Sequence, residues 1–285
     1  MNFCILIWVY VQTLAMTSHK ILLFILLPSI FFFGMQRTET PISKLNGIAV
    51  VYPQDSTDVL QKWKKAIETD LIKLKDFYTD QSIRISGDSL YTGPDQIASY
   101  YKANKIEISD VEQLYTTEAH KGRGISYEII SFMISDSQRI SQLVIYEMHG
   151  GEKLRSFEFE MFQNKSLKMD IANSIEKQLI ERRKEWMKLC NDHKVNELVQ
   201  DLYSENTMYY NHRPLVTGRE DLIKEYGYMN NEKYTLSLHP EMLHTVNDST
   251  VFEIGQCKGS YGGKYILIWK KEEDGQWRIF IDSNI

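Results

Sequence analysis

The sequence predicts an α+β protein: two copies of one small domain, each with N-terminal helices packed on a curved, mainly antiparallel sheet. Three observations lead there. One order of features runs through the chain twice. Each run opens on apolar residues at three-to-four-residue spacing, and each closes on alternating, β-rich segments parted by turn signals. At 285 residues, with 43% hydrophobic and 12% aromatic content, the chain has the length and the side chains for two cores.

The repeat is positional rather than literal. Tyr78 and Gly93 are spaced like Tyr203 and Gly218, and Tyr101 and Tyr226 each follow their glycine by eight residues. Trp63 matches Trp186 if the second copy carries two extra residues in its helix–helix corner. Near the ends, Tyr146 to Leu154 matches Trp269 to Trp277, each followed by an arginine, Arg155 or Arg278. Domains are expected at 56–164 and 177–285, with 163–178 as the bridge.

Ahead of them, residues 3–11 and 21–33 are strongly apolar and too short to span a bilayer. The second run, with Lys20 before it and small or polar residues after Gly34, has the proportions of a signal peptide starting at Met16. The expectation over 1–36 is a cleaved leader, or else a retained anchor as the only membrane contact, with the folded part exported.

Within the second copy, Trp186, Leu189, Cys190, Leu198, Val199 and Leu202 form the stripe of amphipathic helices, broken by a corner at Asn191-Asp192. A short aromatic strand at 207–212 follows. Thr217-Gly-Arg-Glu220 then reads as a capping box, and Thr92-Gly-Pro-Asp95 as its counterpart. Strands are expected at about 234–246, 250–261, 264–272 and 276–283, and in the first copy at about 110–120, 125–135, 139–149 and 153–162. The Glu272–Gly275 and Gly150-Gly151 turns join the last pairs.

Composition excludes several functions. A net charge of −5 without a basic run argues against a nucleic-acid groove. Cys4, Cys190 and Cys257 make neither a disulfide framework nor a zinc spacing. His239 and His244 share no helix face, and Gly259 to Lys264 lacks the phosphate-loop spacing. Cys190 and His193 share a helical face, but their apolar stripe points to core packing. No cofactor is expected.

From Trp186 onward, the Leu202-Tyr203-Ser-Glu-Asn-Thr run, Thr217-Gly218 and the closing Trp269-to-Ile279 hairpin resemble the SnoaL-like and ketosteroid-isomerase-like branch of the nuclear transport factor 2-like superfamily. The first copy resembles it more weakly. The resemblance implies two cones, each closing an apolar pocket between helices and sheet. It also implies an Asp base on the first strand and a Tyr on the first helix, positions that fall here on Asn211 (Ser86 in the first copy) and Met187. Neither Asn nor Ser takes up a proton near neutral pH, so the isomerase pattern lacks its base.

Alternation puts Tyr209 and Asn211 on one strand face, with Tyr210 and His212 on the other. The expected pocket wall is therefore Tyr209 and Asn211 from the strand, Trp186 and Tyr226 from the helices, and Trp269 from the sheet. In the first copy the matching positions are Trp63, Arg84 and Ser86. Asp282 is the best remaining acid; alternation gives it the face of Arg278 and Phe280, so a solvated edge pair with Arg278 is expected first, and a pocket-side pair is the alternative. The function expected first is a non-catalytic module for a small apolar ligand or a partner protein. A small-molecule enzyme of isomerase, dehydratase or hydrolase type is the alternative, and an internal pseudo-dimer joined through its sheet faces is the third reading. A raised-pKa acid beside a tyrosine in the second pocket would put the enzyme first.

Overall fold

A computed structural model describes residues 54–284 except 88, 118–123, 135–137, 165–166 and 212–213, together with the backbone of a two-residue ladder, β1 (Lys44–Leu45) and β2 (Ile48–Ala49). The expected leader lies outside the described residues. Among the described residues no helix is long and apolar enough to cross a membrane.

The first half runs α1 (Gln54–Thr69), α2 (Leu71–Leu74), β3 (Tyr78–Ser86), β4 (Ser89–Thr92), α3 (Gly93–Ala103), β5 (Ile108–Thr116), β6 (Ile125–Ile134), β7 (Gln138–His149) and β8 (Glu152–Phe162). The second runs α4 (Met169–Asn191), α5 (Val195–Leu202), β9 (Tyr203–Tyr210), β10 (Val216–Thr217), α6 (Arg219–Glu225), β11 (Leu236–Asn247), β12 (Thr250–Gly259), β13 (Lys264–Lys271) and β14 (Trp277–Asn284). The two sheets have orders β4-β3-β8-β7-β6-β5 and β10-β9-β14-β13-β12-β11, the same topology strand for strand. Among the described residues only the β3–β8 and β9–β14 pairings are parallel. The sheets remain separate, so the duplication holds at the level of hydrogen-bonded pairing and not only of sequence spacing.

Each half closes its helix stripe against its own sheet. Trp63, Ile67, Leu74, Ile97 and Tyr101 form one such core, and Trp186, Leu198, Leu202, Leu222 and Trp269 the other. The opposite faces of the sheets pack on each other. There Phe157 stacks on Tyr210 with centroids 5.1 Å apart, and Phe159 meets Phe252 edge-on at 5.7 Å. Ile83, Ile129, Ile254 and Ile268 fill the same layer. Both halves thus bury one apolar sheet face against the other, which fits the twofold hydrophobicity of these strands.

Two local expectations need correction. Thr217 makes no capping bond; Gly218 occupies the N-cap of α6 with φ +79°, a conformation glycine adopts without strain. Thr92 does sit at the N-cap of α3, but its hydroxyl makes no capping bond. Instead the Gln96 side chain reaches back to accept from the Thr92 amide at 3.0 Å. The expected corner is present, since α4 ends at Asn191 and Asp192 caps it. The first strand starts earlier than expected, at Tyr203 rather than 207.

Candidate functional site

Between the helices and the sheet of the second half lies a cavity of about 390 Å³. Its wall is dominated by phenols: Tyr209, Tyr226, Tyr228, Tyr234, Tyr261 and Tyr265. Tyr226 meets Tyr209 edge-on at 5.3 Å, and at the mouth Tyr228 meets Tyr234 at 5.2 Å. Tyr228 is 47% exposed, so the aromatic lining reaches solvent.

One acid stands at the floor. Asp282 on β14 is opposite Tyr209 in the parallel pairing with β9, and it lines the cavity while only 4% exposed. Its Oδ2 accepts from the Tyr226 hydroxyl at 2.6 Å and from the Tyr203 hydroxyl at 2.7 Å. Trp186 Nε1 donates in turn to the Tyr203 oxygen at 2.9 Å, which orients that phenol toward the acid. Burial pushes the Asp282 carboxyl up to about 6, and the two phenol bonds only moderate the rise. Burial pushes the neighbouring Cys257 thiol up to about 12, so it lines the cavity as an inert group.

The matching place in the first half holds a different solution. Glu158 is opposite Arg84 in the β3–β8 pairing, as Asp282 is opposite Tyr209. Trp63 Nε1 donates to the Tyr78 hydroxyl at 3.0 Å, which donates to Glu158 at 2.9 Å, repeating the Trp186–Tyr203–Asp282 relay. Here, however, Arg84 enters the cone. It pairs with Glu158 and Glu160, donates to the Tyr101 hydroxyl at 2.7 Å and lies over the Tyr100 and Tyr101 rings. Arg155 pairs with Glu158 from the other side and covers the Trp63 ring at 4.1 Å. Burial alone would raise the Glu158 carboxyl; Arg155 and Arg84 overturn this and hold it below its ordinary value. Both arginines are fully buried, so this cone is filled by its own charged side chains.

Of the residues singled out from sequence, Trp186, Tyr209, Asn211, Tyr226 and Asp282 line the one cavity. Trp269 does not: it is fully buried and donates to Glu253 at 2.8 Å, in a cluster that also takes Arg183 and Tyr265. Trp63 and Arg84 belong to the charged plug, and Ser86 bonds the Tyr100 hydroxyl at 3.2 Å. Tyr210 turns to the other sheet, as alternation requires, while its companion His212 lies outside the described residues.

The expected pairing of Asp282 with Arg278 is overturned. Irregularities at Ile268/Trp269 and Ile279/Ile281 shift the alternation along β14. Trp277 and Ile279 face the cone, Phe280 and Ile281 face the other sheet, and Asp282 returns to the cone. Arg278 is left outside, where it bonds Glu272 at 2.6 Å and Asp274 at 2.7 Å. The same shift places Arg155 opposite Tyr146 where Ile279 is opposite Trp269, so Arg278 is not the counterpart of Arg155.

Cys190 and His193 form no thiol–imidazole pair. Cys190 packs on the Met229 sulfur at 3.9 Å, and His193 Nδ1 bonds the Met229 carbonyl at 3.1 Å. Both Cys190 and Cys257 are free thiols. His239 bonds Ser237 and His244 bonds Ser141, on separate partners.

Fold and site together define the chain as a tandem of two α+β cones of one topology, the first plugged and the second hollow. Among solved structures it is similar to an NTF-2-like protein of unknown function from Shewanella oneidensis, at 14% identity over 38% of this chain and 97% of the other, with a TM-score of 0.35. A putative scytalone dehydratase from Novosphingobium aromaticivorans matches at 15% over 41% and 87%, with a TM-score of 0.35. A putative calcium/calmodulin-dependent protein kinase II association domain from Xanthomonas campestris matches at 14% over 44% and 96%, also at 0.35. No family model matches the sequence. No curated protein matches it.

Proposed function

We propose that the second half is a small-molecule site in which Asp282 transfers protons, and that the first half is its scaffold. The observation that carries this reading is a fully buried carboxylate, its pKa raised toward neutrality, at the wall of an aromatic cavity and bonded only by phenols in the described contacts. A base with a pKa near the working pH combines a substantial ionised fraction with appreciable basicity. Tyr203 and Tyr226 keep it oriented and shelter it from the carboxylate's usual hydration. Asn211 and Asn284 stand in or beside the same wall as neutral hydrogen-bonding groups suited to a polar substituent. This ordering puts an enzyme ahead of a passive binding module.

The chemistry such a site suits is removal and return of a proton on a small, partly aromatic molecule, as in isomerisation or elimination of water. The apolar run at 21–33 supports export of the folded part, with an N-terminal anchor as the competing arrangement.

A panel of small aromatic ketones in D₂O, followed by NMR, tests the reading. The expected outcome is saturation transfer to bound probes and exchange of the protons next to the carbonyl, faster with the natural protein than with Asp282→Asn. Equal exchange by the two proteins, with no probe bound, would refute it.

A further inference from the structure

The plugged half shows what its counterpart's cavity is shaped to accept. Two cations neutralise Glu158, and both are missing at the corresponding positions around Asp282. Arg84 lies six residues after Tyr78 and opposite Glu158; Tyr209 lies six after Tyr203 and opposite Asp282. Arg155 is opposite Tyr146, and in its place Ile279 is opposite Trp269. The carboxylate position is thus common to both halves, while the places of its two guanidinium partners hold a phenol and an alkyl chain in the second.

Half of the aromatic cage recurs as well: Tyr101 has its counterpart in Tyr226, while the place of Tyr100, the other ring under Arg84, holds Glu225. The Arg84 guanidinium lies 4.5 Å from the centroid of Tyr101, the residue eight after Gly93. Tyr226, eight after Gly218, holds the same place and bonds Asp282 directly. Among the described residues lining the second cavity there is no Lys, Arg or His, while Glu225 joins Asp282 as a second acid in the wall. A carboxylate under tyrosine faces attracts a cation twice over, through charge and through the ring quadrupoles, and more strongly where water is displaced.

We infer that the cavity takes a small organic cation of guanidinium type, seated against Asp282 and the Tyr226 ring in the place that Arg84 fills in the first half. This goes beyond the proton-transfer reading and rests only on its cavity: a cation seated there compensates the Asp282 carboxylate, as Arg84 and Arg155 compensate Glu158, and occupies the site without exchanging a proton in it. The ligand's charge compensates the buried carboxylate, and its planar N–H groups meet a carboxylate and phenol oxygens, as those of Arg84 do.

The test is calorimetric titration with n-butylguanidinium and with n-butylurea, which has nearly the same shape and no charge. The natural protein is expected to bind the guanidinium at least tenfold more tightly than the urea. Asp282→Asn should remove that preference, and Tyr209→Arg should abolish binding of both by seating the protein's own guanidinium in the cavity. Equal affinity of the natural protein for the two probes would overturn the inference, because it needs no variant to fold. So would a preference that survives Asp282→Asn. Either result leaves the ketone exchange experiment to decide proton transfer by itself.

Discussion

Glu158 and Asp282 occupy one position in two copies of the same fold, and their surroundings drive them in opposite directions. Around Glu158, two buried arginines more than compensate desolvation, and the carboxyl falls below its ordinary value. Around Asp282, the arginine positions hold Tyr209 and Ile279, desolvation dominates, and the carboxyl rises to about 6. The relay of tryptophan and tyrosine behind each acid is the same. The protonation of each acid is thus set by the side chains around it rather than by the acid itself.

The comparison can be broken most sharply at Glu158. Glu158→Gln leaves Arg155 without its carboxylate and Arg84 with only Glu160, so it is expected to cost about 3–5 kcal/mol, the range for breaking a buried ion pair. Urea unfolding at pH 7 reads this directly; a loss under about 1 kcal/mol would mean the plug contributes little to the first half.

The same change at the sister position has the opposite sign. Asp282 binds its proton more tightly folded than unfolded, so its stabilising effect is full below the ordinary value of 3.8 and is lost as pH rises through about 6. Asp282→Asn is therefore expected to raise stability at pH 7 by up to about 3 kcal/mol and to change it little near pH 3.5. Glu158 runs the other way: its lowered value contributes stability above 4.5 that is lost as pH falls. Urea midpoints for both variants across pH 3.5–7.5 should show the two slopes with opposite signs, and parallel slopes would remove the contrast.

The smallest effect belongs to the cavity mouth. Tyr228 is half exposed and makes its ring contacts with Tyr226 and Tyr234. Tyr228→Ala is expected to cost under about 1 kcal/mol in unfolding while weakening n-butylguanidinium binding several-fold. An unchanged affinity would confine recognition to the cavity floor.

Much of this was legible in the chain before any coordinates. The spacing of Tyr78, Gly93 and Tyr101 against Tyr203, Gly218 and Tyr226 carried the duplication, because each marks a strand start, a helix start and a core contact in turn. Strict alternation placed Tyr209 toward the cavity and Tyr210 toward the other sheet. Alternation failed on β14, where the shifted register at Ile279/Ile281 moved Arg278 off the face of Asp282. Period-two reasoning has no sign for such an irregularity. Tyr261 and Tyr265, which complete the cavity, come from the β12–β13 hairpin, far along the chain from Tyr209, and no local pattern joins them. Alternation puts Arg84 on the pocket face of the first cone but does not show that the cone is filled; Glu158 and Glu160, two apart on β8, are the available signal for a charged interior.

The contrast between the two cones rests on the protonation of one carboxyl. Carbon-13 NMR titration of the Asp282 side-chain carboxyl in the intact protein measures it without any ligand. The expected midpoint lies near pH 6, with Tyr209→Arg moving it down toward the range of an ion-paired acid. A midpoint at or below pH 4 in the natural protein would show that the second cone compensates its acid as well as the first does, and the division between plug and site would be lost.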